Sequence, residues 1–204
     1  MTDKKGILVV LSGPSGCGKD TLLMNLIDKN DDIKVSISMT TRAVRGQEVD
    51  GVDYYFVTPE YFEKKISEGA MLEYAKYNGN YYGTPKAPVD DMLNKGINVV
   101  LEIEVQGAEK IRSIYPDAVT IFLMPPSISV LESRLRSRGT EDEETLSHRL
   151  FIAGQEIGRA GEFDYVVIND KLDDAVKDFE TIINAEKMRI SRNKNIISEV
   201  IKNV

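Results

Sequence analysis

Between Gly13 and Thr21 the chain reads GPSGCGKDT, a G-x-x-x-x-G-K frame with an aspartate where serine or threonine usually follows. Glycines at 13, 16 and 18 let a backbone close tightly round an anion, and Lys19 adds a mobile point charge. This pattern holds a polyphosphate on backbone N–H groups at the positive end of a helix. The wall would consist of Gly13, Pro14, Ser15, Gly16, Cys17, Gly18, Lys19, Asp20 and Thr21. The glycine order differs from the G-x-G-x-x-G of a dinucleotide fold. Asp20 admits two readings. A carboxylate in the first helical turn is favoured by the helix dipole alone, or it replaces the missing hydroxyl as an oxygen ligand to magnesium. Thr21 then offers the hydroxyl that bonds a phosphate oxygen. Cys17 contributes its N–H, and its thiol stands near a helix N-terminus, where a thiol pKa can fall.

Three further groups of residues could act on phosphates. Arg42 and Arg45 lie three apart in a polar loop, each able to fork onto phosphate oxygens, with Tyr54 and Tyr82 as phenolic donors. Glu102 and Glu104, in VVLEIEVQG, are two apart at the end of an apolar run, so a strand would point both to one side. Arg134 and Arg138 are i and i+4 on one predicted helix, with Arg136 pointing away, and Arg149 follows on the next. His148 has no metal-binding neighbours in sequence and reads as a surface residue.

The elements that must position these groups alternate between strand and helix. Ile7–Ser12 reads as a buried parallel strand, and 20–29 as an amphipathic helix with leucines at 22, 23 and 26. Residues 97–105, 118–124 and 165–169 are short apolar runs, each followed by a helical pattern, which predicts an α/β sheet covered on both faces. Two stretches break the rhythm. Residues 35–84 are rich in tyrosine, glycine and alternating residues, predicting a small, mostly antiparallel insertion. Residues 127–161 predict two charged helices joined at Gly139, with a capping box from Thr140 to Glu143 on the second. The core is then 5–34, 85–126 and 162–186, and 187–204 form a basic helix or tail on a single 204-residue domain.

Composition excludes several functions. A net charge of −7 makes a nucleic-acid polymer a poor partner. The first apolar run is five residues, too short for a signal peptide or membrane span. One cysteine forms no internal disulfide or thiolate cluster, which suits a cytoplasmic setting.

The four segments GPSGCGKDT, SISMTTRAVRGQEVDGVDYYFV, GAMLEYAKYNGNYYGTP and RLRSRGTEDEETLSHRL occur in the order that resembles the guanylate kinase family, over about Gly6 to Glu186. The resemblance implies an α/β P-loop NTPase fold, a three-layer sandwich with a central parallel sheet, a GMP-binding insertion and a helical lid. It implies transfer of the γ-phosphoryl group of ATP to GMP, or dGMP, with Mg2+. It places the GMP phosphate on Ser38, Arg42, Arg45, Tyr54 and Tyr82, and guanine on Glu73 and Thr84. A carboxylate and a hydroxyl match guanine's donors and O6 acceptor, while adenine presents the reverse. Glu102 falls near the magnesium and its waters. Glu104 falls near the guanine amine, one methylene longer than the family's usual aspartate, so it reaches the base directly or through water. Arg134, Arg138 and Arg149 fall on the ATP phosphates and the transferring group, and Asn169 and Asp170 beside the adenine. The partners implied are ATP and GMP, on a monomer or homodimer. A non-catalytic phosphopeptide-binding module of the same fold, and a kinase for another nucleoside monophosphate, are the alternatives. Scaffold modules characteristically lose parts of the phosphate loop, whereas Lys19 is intact here.

Overall fold

Strand β1 (Leu8–Ser12) is five buried residues without a charge, as a strand covered on both faces requires. The computed structural model describes residues 5–137 and 142–202. In chain order the other strands are β2 (Ile33–Val35), β3 (Ser38–Thr40), β4 (Tyr54–Phe56), β5 (Met71–Tyr77), β6 (Asn80–Pro85), β7 (Asn98–Glu102), β8 (Val119–Met124) and β9 (Tyr165–Ile168). The helices are α1 (Lys19–Lys29), α2 (Pro59–Ser67), α3 (Lys86–Asn94), α4 (Val105–Ile114), α5 (Ile128–Ser137), α6 (Glu143–Gly158), α7 (Leu172–Met188) and α8 (Lys194–Ile201).

The main sheet is parallel, in the order β2-β7-β1-β8-β9. Side chains alternate along β1. Val9 and Leu11 pack with Leu22 and Leu26 of α1 and with Val176 and Phe179 of α7. Leu8 and Val10 pack instead with Val89 and Leu93 of α3 and Ala108 and Ile111 of α4. Two apolar layers thus clamp the sheet and fix where its carboxyl ends emerge. β1 lies between β7 and β8, so the crevice where ligands of open parallel sheets collect opens beyond Ser12.

The second sheet runs β4-β3-β6-β5. Its β3–β6 and β5–β6 pairings are antiparallel, while β3 and β4 run parallel. Asn78 and Gly79 both take positive φ, 46° and 79°, the pair of left-handed residues that turns β5 into β6. Within the insertion α2 is an unanticipated helix, capped by Thr58 and opened by Pro59, and its Phe62 stacks on Tyr81 at 5.1 Å between centroids.

Several sequence expectations need correction. β2 is a missed strand of the main sheet and ends at Val35, so the insertion begins one residue later. Glu104 is not on a strand with Glu102. β7 ends at Glu102 and Glu104 is the N-cap of α4, because the chain turns at Ile103. The cap of α6 is Asp142, whose side chain accepts from the Thr145 N–H, in place of the expected Thr140. Arg138 and Gly139 lie outside the described residues. The described part of the hairpin packs through Leu131 and Leu135 of α5 against Leu146 and Ala153 of α6.

Candidate active site

The loop between β1 and α1 is shaped by close neighbours. Gly16 and Gly18 take φ of 85° and 94°, and a Cβ on Gly18 would lie 2.6 Å from Asn169 Nδ2. The Cys17 N–H donates to Pro14 O at 3.1 Å, closing the turn. Lys19 is the first residue of α1, and its Nζ reaches back to Gly13 O at 2.8 Å and to Glu102 Oε1 at 3.9 Å. The ammonium therefore spans the mouth of the loop, where it can meet an anion. Cys17 is buried, and burial pushes its thiol up despite the pull of Lys19, so the expected low thiol pKa is corrected to a raised one. Asp20 and Thr21 are both solvent-exposed on the first turn of α1.

Two elements overhang this loop. Arg134 of α5 donates through Nη2 to Asn169 O at 2.9 Å and through Nη1 to Cys17 O at 3.4 Å. Asn169, at the end of β9, is buried and donates through Nδ2 to Cys17 O at 2.8 Å. Arg134, Asn169 and the loop thus form one unit, with Asp170 exposed beside it. Arg136 turns away to Glu132 and Glu143, as its position on the helix predicts. Arg149 is half-buried on α6, and His148 is exposed. Sequence reasoning missed Glu156 of α6. Burial raises its carboxyl pKa, Lys19 draws it down and Glu104 pushes it up.

The insertion assembles the second cationic centre. Arg42 is buried and held bidentately by Glu48, Nη1–Oε2 at 2.7 Å and Nη2–Oε1 at 2.6 Å. Its guanidinium stands 4.9 Å from the Tyr54 ring centroid, and the Tyr54 and Tyr82 rings meet edge to face at 6.3 Å. Ser38 is opposite Tyr54 in the β3–β4 register. Exposed Arg45 donates its backbone N–H to Glu48 Oε2 at 2.8 Å. Glu48 thus fixes both arginines, a role sequence reasoning missed although a lone acid follows two arginines in RAVRGQE. The hydrogen bond to Arg42 holds the Glu48 carboxyl at a pKa of about 2, so the clamp is ionised throughout the working range. Burial raises the Tyr54 phenol, partly countered by Arg42, and the charge of Glu102 acts on it too.

Glu73 and Thr84 are directly opposed in the β5–β6 register, and Thr84 Oγ1 donates to Glu73 Oε1 at 2.8 Å. Burial pushes Glu73 above the usual carboxylate range, with Thr84 and Lys110 pulling it back and Glu104 pushing it further. A carboxylate and a hydroxyl stand together, the carboxylate able to accept from one flat polar edge and the hydroxyl able to donate to it once its one hydrogen turns from Glu73.

Glu102 is raised to about 7 by burial, with Lys19 opposing and the neighbouring Asp20 carboxylate adding to the rise. Two carboxylates this close gain from a shared hard cation, and carboxylate oxygens suit one that keeps waters and phosphate oxygens as its other ligands. Asp20 itself is exposed on the first turn of α1. Among the described residues no group of three or more His, Cys, Asp or Glu is placed to hold a metal by itself.

The guanylate kinase family model matches residues 5–186. A guanylate kinase of Clostridioides difficile is 47% identical over 98% of this chain and 97% of its own. One of Oceanobacillus iheyensis is 50% identical over 94% of this chain and 93% of its own. The crystal structure of guanylate kinase from Anaplasma phagocytophilum aligns with TM-score 0.75 and 35% identity, covering 94% of this chain and 92% of that one. The family model over most of the sequence and relatives of 47–50% identity across more than nine-tenths of both chains lead to one conclusion: the chain belongs to the guanylate kinase family.

Proposed function

We propose that the protein transfers the γ-phosphoryl group of ATP to GMP, giving ADP and GDP, with dGMP as a further acceptor. The observation that carries this reading is the presence in one chain of two cationic centres, the glycine loop whose Lys19 Nζ lies 3.9 Å from Glu102 and the cage in which Arg42 stands 4.9 Å from the Tyr54 ring. Two phosphate sites are what direct transfer between two nucleotides needs.

In this reading the glycine loop with Lys19, Asp20 and Thr21 binds the ATP phosphates, and Asn169 and Asp170 border the adenine. Ser38, Arg42, Arg45, Tyr54 and Tyr82 hold the GMP phosphate. Glu73 accepts from the guanine donors, Thr84 faces O6, and Glu104, at the cap of α4, approaches the amine. Residues 36–84 form the acceptor-binding unit and 127–161 the lid on a core of the remaining elements up to 186. A GMP phosphate oxygen attacks the γ-phosphorus in line. The new P–O bond forms as the bond to the β-phosphate oxygen breaks, and ADP leaves. The transition state is loose and anionic, so the chain contributes position and positive charge from Lys19, Arg134 and Arg149, with Arg138 assigned the same role. Closure of lid and insertion excludes water, which would otherwise accept the phosphoryl group. Asp20 and Glu102 are the residues that would hold Mg2+, whose charge neutralises phosphate oxygens when bound.

The chain is assigned to the cytoplasm; among the described residues no helix is long and apolar enough to cross a membrane. ADP release measured with GMP, AMP, CMP and UMP tests the assignment. Strong preference for GMP is expected, and comparable rates with AMP would overturn the base reading.

A further inference from the structure

α4 and β5 pack through Leu72, Ala108 and Ile111, joining the insertion to the core. This joint carries both carboxylates proposed to read guanine, Glu73 on β5 and Glu104 at the cap of α4. β5 is an edge strand, bonded to β6 on one side only. On its open side Lys110 of α4 donates from Nζ to Tyr74 O at 3.2 Å and stands 5.6 Å from the centroid of the Tyr74 ring. A cavity of about 390 Å3 opens there, lined by Glu73, Tyr74 and Lys110 among others.

We propose that Lys110 is a positioning residue for guanine recognition, tying the strand that bears Glu73 to the helix capped by Glu104 and presenting a cation to the Glu73 carboxylate. The inference rests on the reading of Glu73 as the acceptor of guanine's donors. Thr84 from β6 contacts Glu73, and the charges of Lys110 from α4, held beside it on Tyr74, and of Glu104 from the β7–α4 turn act on its carboxyl. Thr84 supplies a hydrogen bond, Glu104 repels, and Lys110 attracts. Guanine's N1–H and amine need the carboxylate ionised. Burial works against ionisation, and Lys110 works for it. Lys110 is exposed, so solvent screens its charge, and its effect is that of an exposed pair, about 1.5- to 5-fold in affinity.

The test is the pH dependence of kcat/KM for GMP at saturating ATP, from pH 5.5 to 8, in the wild type, K110M, K110R, E73Q and K110M/E73Q. The GMP phosphate itself titrates near pH 6, but that contribution is common to all five proteins and cancels in the ratios. K110M is expected to lose about 1.5- to 5-fold relative to wild type at pH 6 and to converge with it near pH 8. The loss should fall on KM for GMP more than on kcat. K110R should restore the wild-type profile, and in the E73Q background K110M should no longer shift it. A K110M profile that superimposes on wild type, or that falls equally at every pH as a merely structural defect would, overturns the proposal. If E73Q keeps the wild-type preference for GMP over AMP, the reading of Glu73 fails instead, so the two failures are distinguishable.

Discussion

Replacing Glu73 by glutamine separates base recognition from folding. Glu73 sits opposite Thr84, whose hydroxyl donates to it at 2.8 Å, and the glutamine carbonyl can accept the same bond. Its amide N–H2 would then face guanine's N1–H or amine, setting donor against donor. Hydrogen bonds to a charged acceptor contribute about 1.5–3 kcal/mol each. One such bond lost and the other weakened to a neutral one gives about 3–4 kcal/mol, on the order of 10²- to 10³-fold in kcat/KM for GMP. Stability should move the other way. The folded-state pKa of Glu73 is raised by burial, so the folded protein binds this proton more tightly than the unfolded chain. Stability is therefore lost as pH rises from the unfolded pKa to the raised folded one, and that loss is complete above it. A neutral glutamine removes the penalty, and Tm near neutral pH should stay level or rise. Initial rates with GMP and AMP, together with thermal melts, check both halves. An E73Q variant that keeps its GMP to AMP ratio, or one that loses activity only because it melts early, refutes the reasoning.

Three other substitutions probe the loop and the cage. Gly18→Ala puts a Cβ 2.6 Å from Asn169 Nδ2 at a φ of 94°; strain of about 1–3 kcal/mol should lower Tm by roughly 2–10 °C and weaken ATP binding, and an unchanged melt would contradict the tight loop geometry. Glu48→Gln keeps the shape of the clamp without its charge, so KM for GMP should rise by on the order of tenfold with a smaller change in kcat, whereas an unaltered KM would mean Arg42 is positioned without it. Asp20→Ser should shift the magnesium concentration needed for half-maximal rate; identical titrations would assign Asp20 to the helix dipole alone.

How far the sequence revealed the fold depended on how local each signal was. β1, the glycine loop and α1 were readable because a buried run, three glycines and a leucine stripe lie within 23 residues of one another. β2 was not, since three residues with an exposed Lys34 at a sheet edge carry no periodicity. Alternation held along β7 only to Glu102; the turn at Ile103 moved Glu104 from the strand to a helix cap, which spacing by two could not reveal. The arginine–tyrosine cage was legible as residue types. Its organiser, Glu48, depended on a loop folding back six residues onto Arg42. Lys110 meets Tyr74 through packing between distant elements, and no local pattern marks it.

The most direct test of phosphoryl transfer between the two sites is the fate of the label from ATP radiolabelled at the γ-phosphate, incubated with GMP and the protein. The account predicts that the label appears in GDP as its β-phosphate, with one ADP formed for each GDP and little inorganic phosphate. Label released as inorganic phosphate, or retained in ATP while GMP stays unchanged, would contradict it.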